Sequence, residues 1–294
     1  MREEIRRVQA AMEQAAYITD AAVATSVHLA MALGKPLLVE GHAGVGKTEI
    51  AKVLAQVLDT NLIRLQCYEG LDAASALYEW NYPKQLLRIK LEEREGRPLE
   101  AKEADIFSEP FLLRRPLLQA ISQDGKAPVL LVDELDRADL EFESFLLEIL
   151  SDFQVTIPEI GTLRARHRPH VVLTSNRSRD LSDALRRRCL YLWIDYPDLE
   201  KEVRILRARL PGIERRLAEQ IARVMQGLRQ MRLAKAPGVA ESLDWAAALA
   251  ALHADHLDPE LVRETLGCVV KEVEDVKRLE ADLQAGRLAG LLEG

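Results

Sequence analysis

Short apolar runs alternate with amphipathic stretches through the first two thirds of the chain. That alternation predicts an α/β architecture, a mostly parallel sheet with helices on both faces. Five runs read as buried strands, at residues 37–40, 62–66, 129–132, 171–175 and 190–194, each brief and rich in branched or aromatic side chains. Past Tyr196-Pro197-Asp198 the strand signal stops. Ile213, Leu217, Ile221, Val224, Met225 and Leu228 then fall on one helical face. A loop is expected at Ala234-Lys235-Ala236-Pro237-Gly238. A last long helix is expected from Asp258-Pro259, a capping residue followed by one that tolerates the first turn. It carries Val262, Leu266, Val269, Val273 and Val276, a near-heptad stripe whose short length favours packing among helices over a coiled-coil seam. The expected organisation is an α/β domain over residues 1–197 and an all-helical lid over 198–294.

Composition changes this picture little. The 294 residues, 48% hydrophobic and 30% charged, suffice for a compact core plus a smaller domain. A net charge of -7 argues against a broad nucleic-acid-binding face, although a local basic groove could hide within an acidic whole, and ranks protein partners first. Cys67, Cys189 and Cys268 lie far apart with no metal-ligand spacing, which suits a reduced cytoplasm. The first residues are heavily charged and lead into no sustained apolar stretch, so neither a signal peptide nor a membrane span is expected. Asn176-Arg177-Ser178 spells a glycosylation sequon that such a chain would not use.

Candidate chemistry begins at Gly41-His42-Ala43-Gly44-Val45-Gly46-Lys47-Thr48, which matches G-x-x-x-x-G-K-[ST] in full between a strand and a helix. Glycines let successive backbone N–H groups turn inward around phosphates, and the helix that starts near Lys47 and Glu49 adds its positive end. Lys47 is expected on the β- and γ-phosphates and Thr48 on Mg²⁺. Ile50, Val53, Leu54, Val57 and Leu58 give the outgoing helix an apolar face. ATP is preferred to GTP, because Asn176-Arg177-Ser178-Arg179-Asp180 has Arg where a guanine-reading motif has Lys, and one residue too many.

A second candidate is the apolar run Val129-Leu130-Leu131-Val132 ending in Asp133-Glu134. There Asp133 would support Mg²⁺ and Glu134 would orient and deprotonate the attacking water. The bland alternative is a strand end with solvated acids. Asn176, at the tip of another apolar strand, is either a turn former or a group that touches the γ-phosphate or the lytic water. Arg186, Arg187 and Arg188 form a basic cluster that is either a solvated face or a source of an arginine for a neighbouring subunit's phosphate.

Together these residues resemble the AAA+ superfamily of P-loop NTPases, with the helical region as its lid. The segment Phe145-Leu146-Leu147-Glu148-Ile149-Leu150 leading into Gln154-Val155-Thr156-Ile157 looks like the MoxR type, with a hairpin turning at Ile160-Gly161-Thr162 ahead of the sensor strand. Arg64-Leu65-Gln66-Cys67-Tyr68-Glu69-Gly70-Leu71-Asp72 and Tyr78-Glu79-Trp80-Asn81-Tyr82 look like the CoxD branch, associated with maturing carbon monoxide dehydrogenase. The resemblance implies Asn176 as sensor 1 and Arg188 as the trans-acting arginine, with Arg187 as the alternative. It also implies a ring, commonly a hexamer, a von Willebrand factor A domain partner and a client metalloenzyme. One departure stands out: where the family places a lid sensor arginine, this chain reads Glu241-Ser242-Leu243-Asp244-Trp245. Tyr78, Trp80, Tyr82 and Phe111, beside a charged turn at 92–98, could grip a partner, although core packing is favoured.

The expectation is therefore an ATP-driven remodelling or maturation chaperone. Two rivals remain: a nucleic-acid motor or loader, for which Thr162-Leu163-Arg164-Ala165-Arg166-His167-Arg168 supplies a basic hairpin, and a nucleotide-gated scaffold with little turnover.

Overall fold

The computed structural model describes residues 2–92 and 105–292, so residues 93–98 of the charged turn lie outside the described residues. All five expected strands form. They are β1 (Leu37–Gly41), β2 (Leu62–Gln66), β5 (Val129–Asp133), β8 (His170–Ser175) and β9 (Leu190–Ile194), in the order β2-β5-β8-β1-β9. β5 runs parallel to both β2 and β8, and β1 parallel to β8, with Leu62 opposite Val129, Val129 opposite His170 and Leu37 opposite Val172. β1 and β5 are buried at every position, which is why they read as unbroken apolar runs.

Four shorter strands form as well, of which the first two escaped the sequence reading. β3 (Tyr78–Trp80) pairs antiparallel with β4 (Leu112–Arg114), and β6 (Gln154–Ile157) pairs antiparallel with β7 (Gly161–Arg164). The second pair is the hairpin expected ahead of the 171–175 strand, with Ile157 opposite Gly161. Trp80 and Phe111 are buried in the core beneath the sheet and Tyr78 packs against it, whereas Tyr82 is 59% exposed.

The chain divides into two compact units. One comprises residues 25–40 and 51–192, and its core gathers Leu38, Leu118, Leu130, Leu146 and Leu173. The other comprises residues 1–24, 41–50 and 193–294, and its core gathers Leu206, Ile221, Met225, Trp245 and Leu279. In the latter the helix Arg215–Gln230 buries Leu217, Ile221, Val224, Met225 and Leu228, as the 3.6-residue period requires.

The long final helix does not form as expected. Asp258 caps it, accepting from the N–H groups of Glu260 and Leu261, but it ends at Val269, and a second helix, Val273–Gln284, follows. Val270 is extended at φ -114 and ψ 130, and Lys271 Nζ donates to the carbonyls of Gly267 and Cys268. Two adjacent β-branched residues are poor helix formers, and a cation on the last carbonyls completes the stop. Val273 is left 64% exposed, outside the apolar stripe.

Candidate functional site

The phosphate-binding loop belongs to the unit with the helical region. Gly41 ends β1 where a Cβ would lie 2.1 Å from the Ile194 carbonyl oxygen, so no side chain fits. Gly44 has φ +73, in the left-handed region that glycine enters without strain. Lys47 opens the helix Lys47–Val57 and is buried; its Nζ donates to the Gly41 carbonyl at 2.9 Å and to the His42 carbonyl at 2.6 Å. Val45 is buried beneath the loop. Glu49, one residue past Thr48, pairs with Arg209. His42 stacks on Tyr196.

The helical region meets this loop without an arginine. Ala240 N–H donates to the Gly44 carbonyl at 3.0 Å, and Glu241 turns back to accept from Gly238 N–H at 2.9 Å. Ser242 and Trp245, further along the helix Val239–Ala251, face the helical core, where Trp245 Nε1 donates to Thr265 Oγ1 at 2.8 Å. The stretch 241–245 thus supplies packing and a cap.

The acidic pair belongs to the other unit and is built differently. Asp133 closes β5 with 4% of its side chain exposed. Its Oδ1 accepts from Thr174 Oγ1 at 2.5 Å, and its Oδ2 accepts from Arg64 Nε at 3.1 Å and from the same guanidinium's NH2 at 2.6 Å. Thr174, on β8, also accepts from Glu134 N–H at 2.9 Å. Glu134 itself is left-handed, with φ 54 and ψ 48, a strained conformation for a residue with a Cβ. Its Oε2 accepts from Gln66 Nε2 at 3.1 Å and lies 3.3 Å from Arg137 NH1. These two carboxylates lie on a strand end with Asn176 one strand over, past the end of β8.

Asp136 fixes that neighbouring turn. It is buried, accepts from Asn176 N–H at 3.2 Å, and accepts from Ser178 N–H and Oγ at 2.8 and 2.7 Å. Arg177 between them is left-handed, at φ 59. Glu134, Asn176, Asp136, Arg137 and Arg179 line one open cleft of about 640 Å³. Behind the turn Glu143, also buried, pairs with Arg179 at 2.5 Å and accepts from Ser182 N–H. Cys67, just past β2, has its thiol pushed up to about 12 by burial, then by the charges of Asp133, Asp136 and Glu134.

The three arginines of the helix Asp183–Arg188 part ways. Arg186 NH2 lies 3.0 Å from Glu40 Oε1, and Glu40, wholly buried at the end of β1, also accepts from Tyr191 OH at 3.1 Å. Arg188 NH1 donates to the Leu147 carbonyl and Ser151 Oγ, near the end of the helix Leu140–Asp152. Arg187 is exposed and has no side-chain partner among the described residues.

As for the metal, no cluster of three His, Cys, Asp or Glu occurs among the described residues. A hydroxyl such as that of Thr48 and a carboxylate such as that of Asp133 are each hard-oxygen donors of the kind Mg²⁺ takes from protein. No described helix is long and apolar enough to cross a membrane, and the three cysteines are free.

Sequence reasoning missed Arg64, Thr174, Asp136 and Glu40. Only Glu40 left a local signal, a charge at the end of an otherwise apolar run.

The family described as AAA domain (dynein-related subfamily) matches residues 36–189. An uncharacterized protein of Staphylococcus aureus (strain bovine RF122 / ET3-1) is 25% identical over 206 residues, covering 68% of this chain and 70% of its own. The gas vesicle ATPase GvpN of Haloferax mediterranei is 25% identical over 270 residues, covering 86% and 74%. Among solved structures, a variant of Thermotoga maritima RuvB shares the fold at a TM-score of 0.51 and 19% identity, covering 98% of this chain and 81% of that one. RuvB is a Holliday junction branch migration motor. The ranking of partners drawn from net charge is thereby corrected. Nucleic acid was set aside in favour of a von Willebrand factor A domain protein and a client metalloenzyme, yet the fold is shared with RuvB, and neither protein partner is named among these relatives. Bulk acidity averages over the surface and leaves a local basic element untouched.

Proposed function

Because this chain belongs to the AAA domain family, dynein-related subfamily, and is an ATPase of the AAA+ kind, we propose that it hydrolyses magnesium-bound ATP to do conformational work on a macromolecule. The observation that carries the reading is Glu134: a carboxylate on a rigid strand end, held in left-handed backbone by Thr174 and opening on the same cleft as Asn176.

In this reading the backbone of Gly41, His42, Ala43, Gly44, Val45 and Gly46 cradles the phosphates, and Lys47 crosses to the β- and γ-oxygens. Glu49 tethers the start of the following helix through Arg209. Thr48 and Asp133 are the residues that would hold Mg²⁺, which would neutralise charge developing on the phosphates. Glu134 takes the proton of the attacking water, and Asn176, its turn pinned by Asp136, orients that water or the γ-phosphate. Arg187 is the better candidate for the arginine given to a second copy, since Arg186 and Arg188 are both engaged within their own chain. The helices from residue 198 act as the lid over the nucleotide.

A Glu134→Gln variant tests this directly. It is expected to bind ATP and lose turnover, and turnover equal to the native rate would remove Glu134 as the base.

The MoxR-like reading within the superfamily draws support from the β6–β7 hairpin ahead of β8. A nucleic-acid substrate is favoured by the same hairpin, because its outgoing strand runs into Arg164, Arg166, His167 and Arg168, all exposed, of which, among the described residues, Arg166 alone pairs with a carboxylate, Asp124 at 2.9 Å. DNA that stimulates ATPase activity, with the stimulation lost steeply as salt rises, is the expected result; no stimulation at low salt would return the substrate to protein.

A further inference from the structure

Two residues of the phosphate loop are gripped by the helical part of the same unit, and phosphate binding explains neither grip. His42 lies flat on Tyr196, ring centroids 4.5 Å apart and planes 5° from parallel, with Trp193 edge-on at 5.6 Å. The Arg229 guanidinium lies 4.8 Å from the centre of the same Tyr196 ring. Arg229 is in turn bonded to both oxygens of Glu202, at 2.6 and 2.7 Å, and Glu202 is wholly buried. Ser242 Oγ sits 2.6 Å from Glu202 Oε1 and 3.2 Å from the Gly238 carbonyl. From Gly238 the chain returns to the loop: a Cβ there would approach the Ala43 carbonyl oxygen to 2.6 Å, and Ala240 N–H donates to the Gly44 carbonyl. The circuit is closed, from His42 through a buried ion pair back to Gly44.

Lys47 completes the argument. Its ammonium donates to the Gly41 and His42 carbonyls. A phosphate that draws this ammonium competes with both, so the backbone of His42 feels how strongly the phosphates pull. The ring of His42 rests on a tyrosine whose bracing cannot shift cheaply, because parting Arg229 from Glu202 would strand a buried charge. Movement of the loop must therefore be passed to the helices or resisted by them. No arginine is needed for that coupling.

We infer that the His42–Tyr196 stack, braced by Arg229, Glu202 and Ser242, is the device by which the helical region distinguishes a triphosphate from a diphosphate in the loop. His42 and Tyr196 act as positioning residues through the loop backbone. The inference rests on the ATPase reading above.

The test measures ATP and ADP affinity, each with Mg²⁺, on the full chain carrying Glu134→Gln so that ATP persists. Tyr196→Ala is expected to leave ADP affinity within about twofold and to lower the ATP-to-ADP preference about tenfold, the size of a typical coupling between sites. Tyr196→Phe should keep the preference, since the aromatic face remains and only a hydroxyl 3.5 Å from the Ala236 carbonyl is lost. His42→Ala removes the other ring without touching the buried pair; as part of the cradle it is free to change both affinities, but the ATP-to-ADP preference should fall as in Tyr196→Ala, which covers the case in which the latter does not fold. A preference unchanged in both alanine variants overturns the inference, as does an equal loss of ATP and ADP tracking a lower Tm, or a parent chain with no preference to lose. If the parent binds neither nucleotide, the ATPase reading itself falls.

Discussion

The phosphate loop and the acidic pair are expected to serve one reaction, yet they are held in place by different means. The loop is mostly main chain: glycines permit its path, its lysine folds back onto its own carbonyls, and a helix start touches it through one backbone N–H. The Asp133 carboxylate closes a strand and is fixed from the neighbouring strands by Arg64 and Thr174, while that of Glu134, one residue on, is held by Gln66 and Arg137. A backbone cradle adapts to what enters it. A carboxylate clamped by two neighbours keeps its position, as a group that must aim a water or a metal requires. The compliant part is the one tied to the helices; the rigid part is tied to the sheet.

Substitutions can break this contrast, and the largest effect is expected at the arginines. Arg187→Ala should cut turnover by about 10³-fold or more, whereas Arg188→Ala should leave turnover close to native and lower Tm, because Arg188 serves the end of a helix in its own chain. Steady-state ATPase assays beside thermal melts decide this, and the opposite pattern would restore Arg188 as the trans-acting group. Next, Glu134→Gln should lower turnover by about 10²–10⁴-fold with ATP affinity retained in an equilibrium titration. On the compliant side, Arg229→Met should cost about 3–5 kcal/mol, since it leaves Glu202 buried and unpaired, read by denaturant unfolding. On the rigid side, Thr174→Val should cost about 1–3 kcal/mol by stripping bonds from Asp133 and from Glu134 N–H. A loss in Thr174→Val as large as that in Arg229→Met would erase the distinction. The smallest effect is chemical: with its thiol pushed up to about 12, Cys67 stays protonated at pH 8 and should resist iodoacetamide in the native chain. Labelling should rise only as the pH approaches about 12 or on unfolding; rapid labelling of the native chain at pH 8, read by mass spectrometry, would show the β2 end to be open.

The same contrast explains what could be read from sequence. The loop is written in eight consecutive residues, and its chemistry needs only backbone turned by glycine, so pattern suffices. The strand carrying Asp133 is equally visible, as five apolar runs were. Arg64, Thr174 and Asp136 could not be found that way, because each acts across the sheet or a turn on a residue about 40 to 70 positions distant in the chain, and nothing local to them marks the contact. Val273 misled for a related reason: its spacing fits the helical stripe, but a lysine on the preceding carbonyls ends the helix before the stripe arrives. The hairpin was legible because Gly161 takes φ +100, which its residue type announces. The stretch 64–67 matters in a way its pattern did not announce, since Arg64 and Gln66 bond the acidic pair and Cys67 lies beside it.

Glu40 stands one position ahead of the phosphate loop, sealed from water and clasped by Arg186, the immediate neighbour of Arg187. A tug on the exposed guanidinium of Arg187 is not absorbed cheaply by sliding Arg186 away, because that would leave buried Glu40 with only Arg177 at 3.7 Å and the Tyr191 hydroxyl. The short helix and the first strand must travel as one piece. A load on this surface would therefore reach the strand that runs into the proposed phosphate loop.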